Sequence, residues 1–207
     1  MKDPDRIYKF ENRVVEVYHD DDPTDPREWQ EGGVMVCFHR RYRLGDKHDL
    51  REGDFDGWDA LKEHLVKKYD AVDILPLCLY DHSGITISVG LGGGWDSGQV
   101  GFILLPRDTA LEWFGDKLSA EELKELARSA LLSEVETYDQ FLTGDTWGFA
   151  MKTTHSTSDG ITVDEESCWG FYGHDDLESG LLGNALGADA SKAMLVNSRG
   201  EEMAVAS

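Results

Sequence analysis

Between residues 119 and 142 the apolar side chains return every three or four positions: Leu123, Leu126, Ala127, Ala130, Leu131, Tyr138, Phe141 and Leu142. That period is helical, and Glu121, Glu122, Glu125, Glu136 and Asp139 fall largely off the stripe. Ser119 and Glu122 have the spacing of a capping box, and Gly144 supplies a stop. A helix of this length spans about 36 Å. Its apolar stripe needs a broad surface to cover it, so the rest of the chain must furnish a sheet or further helices.

The flanking segments furnish strands. Residues 13–19 are β-branched and partly alternating. Residues 34–42 put Val34, Val36 and Phe38 on one face and Met35, Cys37 and His39 on the other. Residues 71–80 are almost continuously apolar and read as an inner strand, although Pro76 favours an edge or a bulge. Asp81-His82-Ser83-Gly84 then turns the chain into the alternating Ile85, Ile87 and Val89, a hairpin. Gly90 to Gly94 form a flexible loop before a strand at 99–105. After the long helix, 145–151 and 166–172 are aromatic-rich strands joined by a polar loop at 153–160. Trp58, Leu61, Leu65 and Val66 mark a short helix over 56–69, and 106–114 holds a helical turn or two. The pattern predicts an α+β fold: a mainly antiparallel sheet with one long and one or two short helices. It predicts one domain over residues 1–173, followed by an acidic, weakly structured segment at 174–207 with at most one helix near 177–186.

Charge limits the partners. Forty-one acids oppose 20 bases, for a net charge of −21. Residues 32–107 are nearly balanced at −2, while 108–145 carry −7 and 154–207 carry −8. Such a field repels nucleic acid and anionic lipid. The one basic run, Arg40, Arg41, Arg43, Lys47 and Arg51, is interleaved with Asp46, Asp49 and Glu52. It makes a poor nucleic-acid footprint. Spread over roughly 9,700 Å² of folded surface, the net charge is one per about 460 Å². B-DNA carries one per roughly 107 Å². Mimicry of DNA would therefore require the acids to gather on one face. Asp outnumbers Glu, 24 to 17, which suits a salt-adapted surface equally well. Three dispersed cysteines without a CxxC pair imply reduced thiols rather than disulfides or zinc. The absence of an apolar run of about 18 residues, or of an apolar leader, predicts neither membrane span nor signal peptide, hence a cytoplasmic protein.

Motifs of chemistry are sparse. In Gly90-Leu91-Gly92-Gly93-Gly94-Trp95, tryptophan stands where a dinucleotide fingerprint needs glycine, and a strand follows instead of a helix. Ser167-Cys168-Trp169-Gly170-Phe171 looks like a papain-type nucleophile segment, but only His174 follows it, so Cys168 reads as a small core residue. Asp81 and His82, with Asp96 and Glu134, could compose a carboxylate–imidazole metal site. Turn chemistry at Asp81 and Ser83 explains the same residues more simply. Asp20-Asp21-Asp22 reads as a solvated acidic loop.

Four stretches, PLCLYDHSGITIS (76–88), WDSGQVGFI (95–103), SEVETYDQFLTGDTWGF (133–149) and ESCWGFYG (166–173), together resemble an uncharacterised family of proteins encoded by phages and other prokaryotic mobile elements. The resemblance implies context, a viral or mobile-element product acting inside a prokaryotic host, and no catalytic residue.

The expectation is an acidic accessory protein, without cofactor, that binds a host protein with a basic surface. A nucleic-acid-handling defence enzyme is the natural target, by anti-restriction or anti-CRISPR-like inhibition with possible DNA mimicry. Its contact residues would be Glu121, Glu122, Glu125, Glu136 and Asp139, with Asp175, Asp176 and Glu178. The pattern leans against an enzyme. The alternatives are a metal-dependent hydrolase or nucleotide-processing enzyme on Asp81, His82, Asp96 and Glu134, and a structural protein of a salt-adapted virus.

Overall fold

The computed structural model describes residues 2–29 and 32–203. In chain order they form β1 (Arg6–Phe10), β2 (Arg13–His19), β3 (Val34–Cys37), α1 (Gly57–Tyr69), β4 (Ala71–Asp81), β5 (Ile85–Val89), β6 (Ser97–Pro106), α2 (Arg107–Phe114), α3 (Ala120–Thr143), β7 (Thr146–Thr157), β8 (Gly160–Tyr172), α4 (Leu181–Leu186) and β9 (Met194–Val196). Short 3₁₀ turns lie at Pro26–Trp29, Glu52–Asp54 and Gly187–Lys192. The fold is α+β, and every strand pairing named here is antiparallel.

Contacts divide the chain into two units. One joins Met1–Thr24 to Gly144–Ser207; the other is Asp25–Thr143. This differs from the expected boundary after residue 173, because residues 174–203 are part of the first unit's core. That unit is a five-stranded sheet in the order β8-β7-β2-β1-β9. Val15, Val17, Phe149 and Met151 point to one face, where Leu181, Leu182, Ala185 and Leu186 of α4 cover them. The weakly structured tail of the sequence reading is thus the lid of a hydrophobic core. Two strands escaped that reading, β1 and β9. The polar segment at 153–160 is mostly strand as well, with β7 running to Thr157 and β8 resuming at Gly160.

The second unit has a four-stranded sheet, β3-β6-β4-β5, with helices on both faces. On one face Met35, Leu75, Leu77 and Ile103 meet Leu123, Ala127, Leu131, Val135 and Tyr138 of α3. On the other, Val36, Phe102 and Leu104 meet Leu61 and Leu65 of α1. Burial on both faces is why β6 reads as a continuous apolar run rather than an alternation. Pro76 is tolerated in inner strand β4 for a local reason. Its carbonyl accepts the Gly90 N–H at 2.9 Å. In an antiparallel ladder a residue's nitrogen and oxygen point the same way, so the proline nitrogen faces the place where β5 has ended.

The strand expected over 34–42 stops at Cys37. Phe38 still donates its N–H to the Val100 carbonyl at 2.7 Å. The imidazole Nδ1 of His39 then accepts the backbone N–H groups of Arg41 (3.4 Å) and Tyr42 (3.2 Å). A side chain that captures downstream amides turns the chain off the ladder.

Candidate functional site

The turn at His39 creates a large concavity in the second unit. Residues 37–48, with Asp81, Trp58 and residues 95–100, line an open cavity of about 1100 Å³. Its principal wall, 39–44, is an excursion anchored at both ends. The near end is the Phe38–Val100 bond. The far end is Gly45–Asp46. Gly45 has φ 68°, and a Cβ there would lie 2.7 Å from the Met35 carbonyl oxygen, so only glycine fits. Its N–H donates to the Tyr138 hydroxyl at 3.0 Å. Burial raises that hydroxyl's pKa to about 12, which keeps it neutral.

Asp46 is held more firmly still. It accepts the Met35 N–H at 2.7 Å and both Nε (2.8 Å) and Nη2 (3.0 Å) of Arg27. Arg27 also donates from Nη1 to Glu134 at 2.7 Å, and Glu134 accepts the Gly33 N–H at 2.7 Å. The loop bearing Arg40, Arg41 and Arg43 is therefore fastened to β3 and α3 through a half-buried ionic network.

Arg41 donates to the Asp81 carboxylate, and the Tyr42 hydroxyl reaches the same group at 3.4 Å. His39 stacks on Tyr42, with centroids 4.9 Å apart and rings 9° from parallel. Because His39 Nδ1 accepts two amides, its neutral form carries the proton on Nε2. His48 has the complementary arrangement. Its Nε2 meets the Cys37 carbonyl at 3.1 Å, so Nε2 donates, and its buried Nδ1 has no hydrogen-bond partner. Arg40, Arg43 and Lys47 make no ion pair within 4.0 Å among the described residues. Across the cavity, Ser97 Oγ accepts the N–H of Gly93 (3.2 Å) and Gly94 (2.8 Å), and this turn presents Trp95 at 95% exposure.

The structure separates the proposed metal ligands. Asp81, His82 and Asp96 do meet at one turn: Asp81 N–H donates to the Asp96 carbonyl at 3.0 Å, and His82 Nδ1 lies 3.3 Å from the Asp96 carboxylate. Glu134 is elsewhere, tied to Arg27 and Gly33. Asp81 is engaged by Arg41. Among the described residues no three His, Cys, Asp or Glu side chains converge to hold a metal ion.

The eight expected contact acids fall into three groups. Asp176 and Asp139 belong to the fold. Asp176 is 3% exposed and accepts Arg6 Nε (2.6 Å), Arg6 Nη2 (2.8 Å) and the Tyr8 hydroxyl (2.7 Å). Asp139 accepts the Ile87 N–H at 2.7 Å, joining α3 to β5, and burial raises its pKa. Glu122 and Asp175 are local caps. Glu122 accepts Ser119's N–H at 2.8 Å, and Asp175 accepts those of Leu177 and Glu178 at 2.9 and 3.0 Å. Both carboxyls titrate lower than usual because of those backbone donors. Glu121, Glu125, Glu136 and Glu178 are exposed. Sequence reasoning missed Arg27, Asp46 and Trp95. The first two act through partners up to 107 positions away, and the third is an indole in a segment with no periodicity to place it.

Compared with known proteins, the chain matches no family model, no curated protein and no solved structure.

Proposed function

We propose that the protein works by binding, as an acidic accessory protein that modulates a partner protein with a basic surface, and that the outer face of α3 is what it presents. The observation that carries this reading is the stripe Glu121, Glu125, Leu132, Glu136, whose intervening base, Arg128, is drawn to Asp73 at 3.6 Å. These positions follow the helical repeat over about 22 Å. Leu132 is 46% exposed, and none of the three glutamates has an ion-pair partner among the described residues. Free carboxylates around an exposed leucine suit a protein partner whose basic residues rim an apolar contact. The same length of duplex DNA holds roughly 13 phosphates. Three glutamates fall far short of that, so the reading is complementarity to a protein rather than imitation of a nucleic acid. The resemblance of the four stretches between residues 76 and 173 to mobile-element proteins suggests the context, and a host defence enzyme is the partner class that fits it.

The test is capture from a prokaryotic lysate at low and high salt. Glu121→Lys, Glu125→Lys and Glu136→Lys together are expected to abolish salt-sensitive capture of a basic protein. The control carries Glu63→Lys, Glu112→Lys and Asp116→Lys, the same charge change on exposed residues of the same unit. Equal loss in both variants would reduce the effect to bulk charge and defeat the α3 reading.

A further inference from the structure

The cavity beside the 39–44 excursion is a site the α3 reading does not use. We propose that it binds a nucleoside phosphate, the phosphates against Arg40, Arg43 and Lys47 and the base against Trp95. This inference is independent of α3 and requires no catalysis.

The charge arrangement is the first ground. The chain has two acids for every base, yet five of its 20 bases lie within residues 40–51. Five acids line the cavity; four are engaged, Asp96 by His82 Nδ1 at 3.3 Å, and Glu52 is left against Arg40, Arg41, Arg43 and Lys47. Asp46 is held by Arg27 and the Met35 N–H, and Asp81 by Arg41. Asp25 accepts the Arg27 N–H at 2.8 Å. Arg40, Arg43 and Lys47 have no such partner, so the wall offers free guanidinium and ammonium donors. Guanidinium forks match phosphate oxygens in pairs.

The second ground is the aromatic arrangement. Trp95 is 95% exposed at the cavity mouth on a turn fixed by Ser97. The His39–Tyr42 stack lines the same cavity. An indole left in water gains by burial, and base stacking is the sequence-tolerant way to bury it. The third ground is size. A volume of about 1100 Å³ lies just above the usual range of small-molecule sites, and the open cavity has room for one nucleotide with water. A long nucleic acid is disfavoured. Its phosphates would meet the field of a unit carrying 23 acids against 13 bases.

The excursion's anchoring supports the same conclusion. A loop with three arginines is fastened by Gly45, Asp46 and the His39 turn, so its backbone is fixed at both ends before any ligand arrives. Such preorganisation lowers the ordering cost of binding.

The experiment is isothermal titration calorimetry of the full chain, without added metal, against ATP, GTP, CTP, UTP, AMP, adenosine, inorganic phosphate and a short single-stranded oligonucleotide. At least one triphosphate is expected to bind with Kd below about 1 mM, and adenosine at least about tenfold more weakly than AMP. Arg40→Ala with Arg43→Ala is expected to weaken triphosphate binding about tenfold or more. Trp95→Ala is expected to weaken triphosphate binding similarly and to leave inorganic phosphate unchanged. All three residues are exposed, so unchanged circular dichroism and Tm will show that the variants fold. The α3 charge-reversal variant is expected to bind normally, which separates failure of this site from failure of the partner reading. The proposal is overturned if no triphosphate binds, if the arginine variant binds as wild type does, if inorganic phosphate binds as tightly as ATP, or if the oligonucleotide binds more tightly than every mononucleotide.

Discussion

Two aspartates show how differently one residue type can serve this molecule. Asp176 is enclosed and fully paired, with a bidentate Arg6 and the Tyr8 hydroxyl. Arg6 in turn lies 3.9 Å from the centroid of the Trp147 ring. Burial, first, and the Asp176 hydrogen bond raise the Tyr8 pKa well above the ordinary tyrosine value, so that hydroxyl remains a donor at any physiological pH. Removing the carboxylate would strand a half-buried guanidinium. Asp176→Ala is expected to cost about 3–5 kcal/mol, read as a lower urea midpoint at unchanged m-value. A loss below about 1 kcal/mol would mean the pair contributes no more than a surface bridge does.

Asp139 is the opposite case, a half-buried carboxylate with one backbone donor. Its pKa is raised because burial outweighs the hydrogen bond from Ile87. The sign follows directly. The folded state prefers the protonated form, so stability from this group is greatest below the ordinary aspartate pKa and declines as pH rises through the raised one. Asp139→Asn keeps an acceptor for the Ile87 N–H and removes the charge. It is expected to match or exceed wild-type stability at pH 7 and to flatten that decline, measured by urea melts between pH 3 and 7. Asp139→Ala would instead leave the N–H unpaired, at about 1–3 kcal/mol.

At the scale of elements, α3 is set by its own sequence. Ser119 and Glu122 close the capping box in both directions: Ser119 N–H to Glu122 at 2.8 Å, and Glu122 N–H to Ser119 Oγ at 3.3 Å. Ser119→Ala is expected to lower stability by about 1 kcal/mol, measured by thermal or urea unfolding. Here the sequence was fully legible, since period and cap are local properties. β1 was not. Its residues, RIYKF, alternate no more clearly than a loop does, and its turn at Glu11 (φ 52°) lacks the glycine that marks a tight hairpin. β9 is three residues long and exists because β1 accepts it as a neighbour. The candidate cavity was legible only in part. The basic run is visible in the sequence, but its meaning depends on His39 ending a strand and on Arg27 meeting Asp46 and Glu134. Both are tertiary events that overrode a sound β pattern.

For the whole molecule, the two units differ in how the chain builds them. The first takes both ends of the chain; the second is one continuous stretch, Asp25–Thr143, carrying its own two buried clusters. Within the first unit, the Asp20 N–H donates to the Thr146 carbonyl at 2.8 Å, and His19 Nε2 lies 2.7 Å from the Gly144 oxygen. The chain therefore leaves that unit and re-enters it at adjacent points, the topology of one unit inserted into another. Insertion of this kind requires that the inserted stretch satisfy its backbone and core by itself. The described residues of 25–143 meet that requirement, with a sheet covered on both faces by α1 and α3. The excised fragment is expected to fold cooperatively, with helical circular dichroism and a single urea transition. A fragment that stays unfolded would mean the second unit draws stability from the first. Acidity is shared the same way, with 18 acids and seven bases in the first unit and 23 and 13 in the second. The negative field is thus a property of both folds rather than of an appended tail. Against it, the cavity wall carries four bases among five acids, a local near-balance of charge in an otherwise acidic molecule.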